Sequence, residues 1–173
     1  MTRARQASLG RMAFEMEIGI DAYTQARIKN LFVKNLFGFK TANIGECLGD
    51  CWENCRFISD TRHDMTLENL RTKLKRWRPF LKLGRFFGFP LEIDFLDLIV
   101  RKEKESEDYL LEGYFVEYVK GKVLKQSEAT LVLSDVDGKW LWSQIKLHDL
   151  PQSEWSYLSQ KEHLGQRAFY KRV

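Results

Sequence analysis

The chain has 173 residues, of which 44% are hydrophobic, 13% aromatic and 30% charged, a composition that suits one globular domain and excludes a disordered chain. A domain of this length buries roughly 70% of the surface its unfolded chain exposes, so the three cysteines are optional to the fold. No run approaches the roughly 20 apolar residues of a membrane span, and a net charge of +4 is too mild to name a nucleic-acid or membrane partner by itself.

In chain order, the sequence divides into a basic arm over residues 1–12, one α+β domain over 13–150, and a short helix or tail over 151–173 around Trp155, Leu158 and Leu164. The arm carries Arg3, Arg5 and Arg11 with no acid before Glu15. It reads as a tail, with an organelle presequence or a phosphorylatable segment at Ser8 as alternatives. In the absence of a secretory apolar stretch the expected location is the cytoplasm, with organellar import left open.

From Ala13 to Phe37, Phe14, Ile18, Ala22, Ala26, Leu31 and Phe32 recur mostly at four-residue steps, which predicts one amphipathic helix or two in succession, with Gly38 as the stop. A second helix is predicted over 44–57, with Ile44, Leu48, Cys51, Trp52 and Cys55 on one side. Thr66 is placed as the N-cap of a third, apolar at Leu67, Leu70, Leu74 and Trp77, which Pro79 is expected to end or kink near Arg78.

After Pro90 the period changes to two. Leu91, Ile93 and Phe95 give way to the opposite phase at Leu96, Leu98 and Val100, which predicts a bulge near Phe95–Leu96 or a strand covered on both faces. Further strands are predicted at Tyr109–Val119, Leu124–Leu133 and Lys139–Leu147, joined by short turns at Lys120-Gly121-Lys122 and Asp135-Val136-Asp137-Gly138. The expected fold is α+β, with N-terminal helices packed on a curved four-stranded antiparallel sheet.

The pairing of Ala129-Thr130-Leu131-Val132-Leu133 with Asp137-Gly138-Lys139-Trp140-Leu141-Trp142, behind a helical first half, resembles the nuclear-transport-factor-two-like, cone-shaped superfamily over residues 66–148. The resemblance implies a cavity between helices and sheet, which some members use for small-molecule chemistry and others for binding or scaffolding. It carries over no catalytic residue.

Charge is blocked along the chain. Residues 69–91 hold Arg71, Lys73, Lys75, Arg76, Arg78, Lys82 and Arg85 with no acid, flanked by fourteen acids in 41–68 and 92–112. The seven cations interleave with Trp77, Phe80, Phe86, Phe87 and Phe89, which combines phosphate-neutralising charge with rings able to stack on bases. The same composition suits an anionic membrane surface. In the structural alternative, Leu70, Leu74, Trp77, Phe80 and Phe86 are core residues while the cations point to water or pair with the flanking acids.

Two further sets could carry chemistry. On a helix, Cys47, Cys51 and Cys55, with His63 beyond them, would line one face; metal binding, a redox pair and plain buried thiols are the readings. The sheet carries Glu92, Asp94, Asp97, Glu112, Tyr114, Glu117, Tyr118 and His148. Alternation puts Glu112, Tyr114 and Tyr118 on one face, and Phe115, Glu117 and Val119 on the other, without saying which is enclosed. There is no phosphate loop, nucleophile elbow or paired-histidine motif, so no cofactor is expected.

The sequence therefore reads as a non-catalytic binding or accessory protein, with a subunit of a larger assembly as a further alternative. Its expected contact surface is Arg71, Lys73, Lys75, Arg76, Trp77, Arg78, Lys82, Arg85 and Phe86, with RNA the first partner and a membrane or acidic protein surface the second. The competing reading is a small-molecule binder or enzyme, with Tyr114 or Glu112 in a helix–sheet cavity.

Overall fold

A computed structural model describes residues 14–16 and 19–156. The expected arm over 1–12 and the end of the tail, with Leu158 and Leu164, lie outside the described residues.

The predicted first helix divides. Phe14–Met16 is a short strand, β1, and helix α1 spans Ala22–Lys40. Gly19 takes φ +107°, and the Thr24 N–H donates to Asp21 Oδ1 at 2.9 Å, so an Asp N-cap starts the helix later than the apolar spacing suggested. Gly38 does not stop it. A Cβ there would sit 2.3 Å from the backbone nitrogen of Cys47, so this glycine allows α1 to pack against the next helix.

The predicted helix over 44–57 is corrected to a single turn and a half, α2 (Ile44–Leu48), followed by strand β2 (Cys51–Ser59) and a further strand, β3 (Arg62–Thr66). Cys55 and Phe57 are buried at alternate positions around an exposed Arg56, a strand pattern that the four-residue spacing of the thiols conceals.

Helix α3 spans Leu67–Phe86 and begins as expected, the Asn69 N–H donating to Thr66 Oγ1 at 3.2 Å. Pro79 does not end it. The bond that proline cannot donate would end on the Lys75 carbonyl, on a side of the helix where both residues are exposed and water can take its place.

Strands β4 (Leu91–Lys102), β5 (Tyr109–Val119), β6 (Lys122–Val136) and β7 (Lys139–Asp149) form the predicted antiparallel meander. Lys120-Gly121 and Asp137-Gly138 all take positive φ, the geometry that matches a tight turn to strand twist. The sheet is larger than expected and mixed: seven strands in the order β1-β4-β5-β6-β7-β2-β3, with β1 parallel to β4 and β2 parallel to β7. The three additional pairings, β1 with β4, β2 with β7 and β2 with β3, come from residues read as helix, or not read as regular structure.

The phase change in β4 is a bulge, slightly later than expected. Two residues, Asp97 and Leu98, stand opposite Gly113 between the pairs Leu96↔Tyr114 and Ile99↔Glu112. Leu98 and Val100 consequently join the main core with Ile28, Phe32, Leu111, Leu131 and Trp142, whereas Leu96 joins Val116, Tyr118 and Val123 on the other face, beneath Trp155. The helices cover the first face of this curved sheet.

Candidate functional site

The nine residues expected to form a contact surface do not act as one group. Arg71 is engaged locally, Nη1 lying 3.0 Å from Glu68 Oε2, and Lys73 is on the inner side of α3. Lys75, Arg76, Arg78, Lys82 and Arg85 are exposed and, among the described residues, form no ion pair. Several flanking acids pair elsewhere: Asp50 with Lys34, Asp64 with Arg56, Glu92 with Lys40 and Glu112 with Arg101. Trp77 is half exposed and Phe86 is 83% exposed, so neither is the core residue of the structural alternative.

Beneath α3, a partly open cavity of about 310 Å³ lies between the helices and the sheet. Helix α1 contributes Phe32, Asn35, Leu36 and Phe39, spaced to fall on one side of the helix; α3 contributes Leu70, Lys73 and Leu74; and the sheet supplies Ile93, Phe95, Phe115, Leu131, Trp142 and Ile145. The walls are mostly apolar, with few polar groups, as in small-molecule sites. Asn35 ties them together. Its Oδ1 accepts from Trp142 Nε1 at 3.0 Å, and its Nδ2 donates to the Glu46 carbonyl and Asp50 Oδ2, each at 3.0 Å.

Glu117 is the cavity's acid. It lies beside Ile93 on β4 and opposite Lys125 on β6, and Lys73 approaches from α3. Burial pushes its carboxyl above the ordinary value of 4.5, and Asp149 adds to the shift, while Lys125 and Lys73 oppose it. Lys125 also meets Asp149 at 2.9 Å, so it is shared between two carboxylates.

No protein-family model and no curated protein matches this sequence. Solved structures do. A protein of unknown function with a cystatin-like fold from Nostoc punctiforme superposes with a TM-score of 0.59 at 11% identity, over 77% of this chain and 96% of its own. An NTF2-like protein from Cytophaga hutchinsonii gives 0.56 at 12% identity, over 73% of this chain and 98% of its own. The fold is nuclear-transport-factor-two-like. A third such likeness, to a protein of unknown function from Mycobacterium tuberculosis, gives 0.58 at 15% identity, over 88% of this chain and 96% of that one.

Within this nuclear-transport-factor-two-like cone the enclosed face is that of Phe115 and Glu117, which corrects the expectation of Tyr114 or Glu112 in the cavity. Glu112 pairs with Arg101 at 3.3 Å, and Tyr114 packs against the Leu96 cluster. Strand alternation separates the two sets, but only the placement of α1 and α3 selects between them. The other sheet residues take structural parts: Asp94 accepts from the Phe95 N–H at 3.0 Å, Asp97 forms the bulge, Tyr118 is buried, and His148 Nδ1 meets Asp60 at 2.7 Å.

The thiols do not form the helical row that the sequence suggested, because Cys51 and Cys55 are in β2. Burial pushes Cys47 up to about 11, and Cys51 is pushed up by its hydrogen bond with Cys55 and then by burial. Protonated thiols are the reverse of the activated form that metal binding or redox chemistry uses. Among the described residues no group of three or more His, Cys, Asp or Glu is placed to hold a metal; the side chain of His63 lies outside them.

Proposed function

We propose that the protein binds a small, mainly apolar molecule in the cavity between α1, α3 and the sheet, with Glu117 fixing its orientation. The observation that carries this reading is the carboxyl of Glu117 in a mostly apolar chamber, with its proton affinity raised by burial. Burying an ionisable group costs stability, and such groups concentrate where a fold binds or reacts. The volume of about 310 Å³ falls at the lower end of the range, roughly 300–1,000 Å³, of pockets that enclose small ligands. A carbonyl or hydroxyl on the ligand would exchange a hydrogen bond with the Glu117 carboxyl, while rings and aliphatic groups lay against Phe95, Phe115 and Ile145.

Titration with anilinonaphthalene sulfonate, an apolar fluorescent probe, tests the reading. Saturable binding is expected, and Ile145→Trp, which fills the chamber from the sheet side, is expected to weaken it about tenfold while leaving the circular dichroism unchanged. Binding that does not saturate, or that Ile145→Trp leaves unaltered, would place the probe elsewhere and remove the proposal.

A further inference from the structure

Helix α3 has two apolar sides, and only one of them faces the protein. At about 100° per residue, Leu67, Leu70, Leu74 and Leu81 fall together and pack inward, over the cavity and the groove beside α1 and α2. On the opposite side, Arg76, Phe80, Leu83 and Phe86 follow one another at steps of four, three and three residues, and the stripe continues past the helix end through Phe87 and Phe89. These are large apolar side chains in water: Phe80 is 67% exposed, Leu83 54% and Phe87 62%. A contiguous exposed stripe of this kind marks an interaction surface.

Its charge identifies the partner. Arg76 stands in the stripe and Lys75 and Lys82 border it, all three exposed and without ion pairs among the described residues, and no acid occurs between Glu68 and Glu92; Arg78 lies instead by the groove beside α1 and α2. Lys120 adds a further cation at the far end, its Nζ 3.4 Å from the Phe89 ring centroid. We propose that the outer face of α3 docks on the surface of an anionic lipid bilayer, with Phe80, Leu83, Phe86 and Phe87 entering the headgroup boundary and the cations meeting lipid phosphates and carboxylates. No helix among the described residues is long and apolar enough to cross a membrane, and a helix with this pattern lies in the interface plane.

Two alternative occupants fit less well. Bases stack on open ring faces, but the Phe89 face is covered by Lys120, and Phe86 and Phe87 pack edge to face with centroids 5.3 Å apart. A second copy docked across a two-fold axis would set the same unpaired cations against one another. The inference is independent of the cavity proposal, since none of Phe80, Leu83, Phe86 and Phe87 lines the cavity.

Sedimentation of the whole chain with vesicles of phosphatidylcholine containing about a third phosphatidylserine, compared with phosphatidylcholine alone, tests the docking. Anionic vesicles are expected to bind at least about tenfold more tightly, and less so as salt rises. Phe80→Ser with Phe86→Ser, which keeps every charge, is expected to reduce binding about tenfold, as is Lys75→Glu with Lys82→Glu; circular dichroism and cavity-probe binding stay unchanged. Should the paired serine variant fail to fold, Phe86→Ser alone serves, because that side chain is almost entirely in water. Equal binding to both vesicles, or unchanged binding by the serine variants, overturns the proposal. So does salt-sensitive binding of single-stranded RNA that anionic vesicles do not displace, or a solution dimer that Phe86→Ser dissociates.

Discussion

Glu117 stabilises or destabilises the fold according to its proton. Its folded value lies above the unfolded one, so the neutral carboxyl is the form the cavity favours. The stability it contributes is present below the ordinary value of 4.5 and is lost as pH rises through the folded value. Glu117→Gln, which keeps the shape and removes the charge, is expected to raise the melting temperature at neutral pH, with the difference from the parent closing as pH falls below that value. A lower melting temperature at neutral pH would mean that Lys73 and Lys125 outweigh burial. The pair of His148 and Asp60 has the more familiar signs. The hydrogen bond to Asp60 raises the histidine, so its contribution is lost as pH rises through the raised value; the aspartate is lowered, and its contribution is lost as pH falls.

Among the elements, the bulge in β4 determines which residues face the cavity, and it depends on Gly113. A Cβ at that position would lie 2.6 Å from the Leu96 carbonyl oxygen and 3.0 Å from that of Asp97, both backbone atoms with little freedom to move. Gly113→Ala is expected to cost about 3 kcal/mol in chemical denaturation, the upper part of the range for overpacking. An effect below about 0.5 kcal/mol, the size of ordinary surface substitutions, would show that the sheet accommodates the methyl. The phase change from Phe95 to Leu96 made this bulge legible in the sequence, as the two glycine turns did for the hairpins, because those signals are local. Strand β2 was not legible. The partner that joins it to the main sheet, β7, is nearly ninety residues further on, in the pair Ile58↔Lys146, while its thiols repeat every four residues like a helix face. At Pro79 a valid local rule was overridden because the freed carbonyl faces water. For the candidate site, the run of cations and rings was plain, but whether the flanking acids would neutralise it depended on where those acids fold. In the sequence Glu117 is one of several sheet acids, and nothing local marks its face as the enclosed one.

At the scale of the whole molecule, the two sides of α3 differ: the inner side roofs the cavity, and the outer side carries the exposed apolar stripe. Order along the chain and order across the sheet also disagree. Strands β4 to β7 each pair with their neighbour in sequence, whereas β2 and β3 occupy the far side of β7, where the Trp142 N–H donates to the Asp50 carbonyl at 2.8 Å. Long-range pairings of this kind form late, because loop closure must precede any gain from contact. Hydrogen exchange is expected to find the amides of β5 and β6 the best protected, and those of β2 and β3 opening at lower free energy; uniform protection would contradict this order. On the ribosome the consequence is direct. The β2–β3 hairpin emerges ahead of the whole meander and has no sheet to join until β7 follows, so from the synthesis of Ser59 to that of Lys139 the chain carries an unpaired strand edge that β7 then covers.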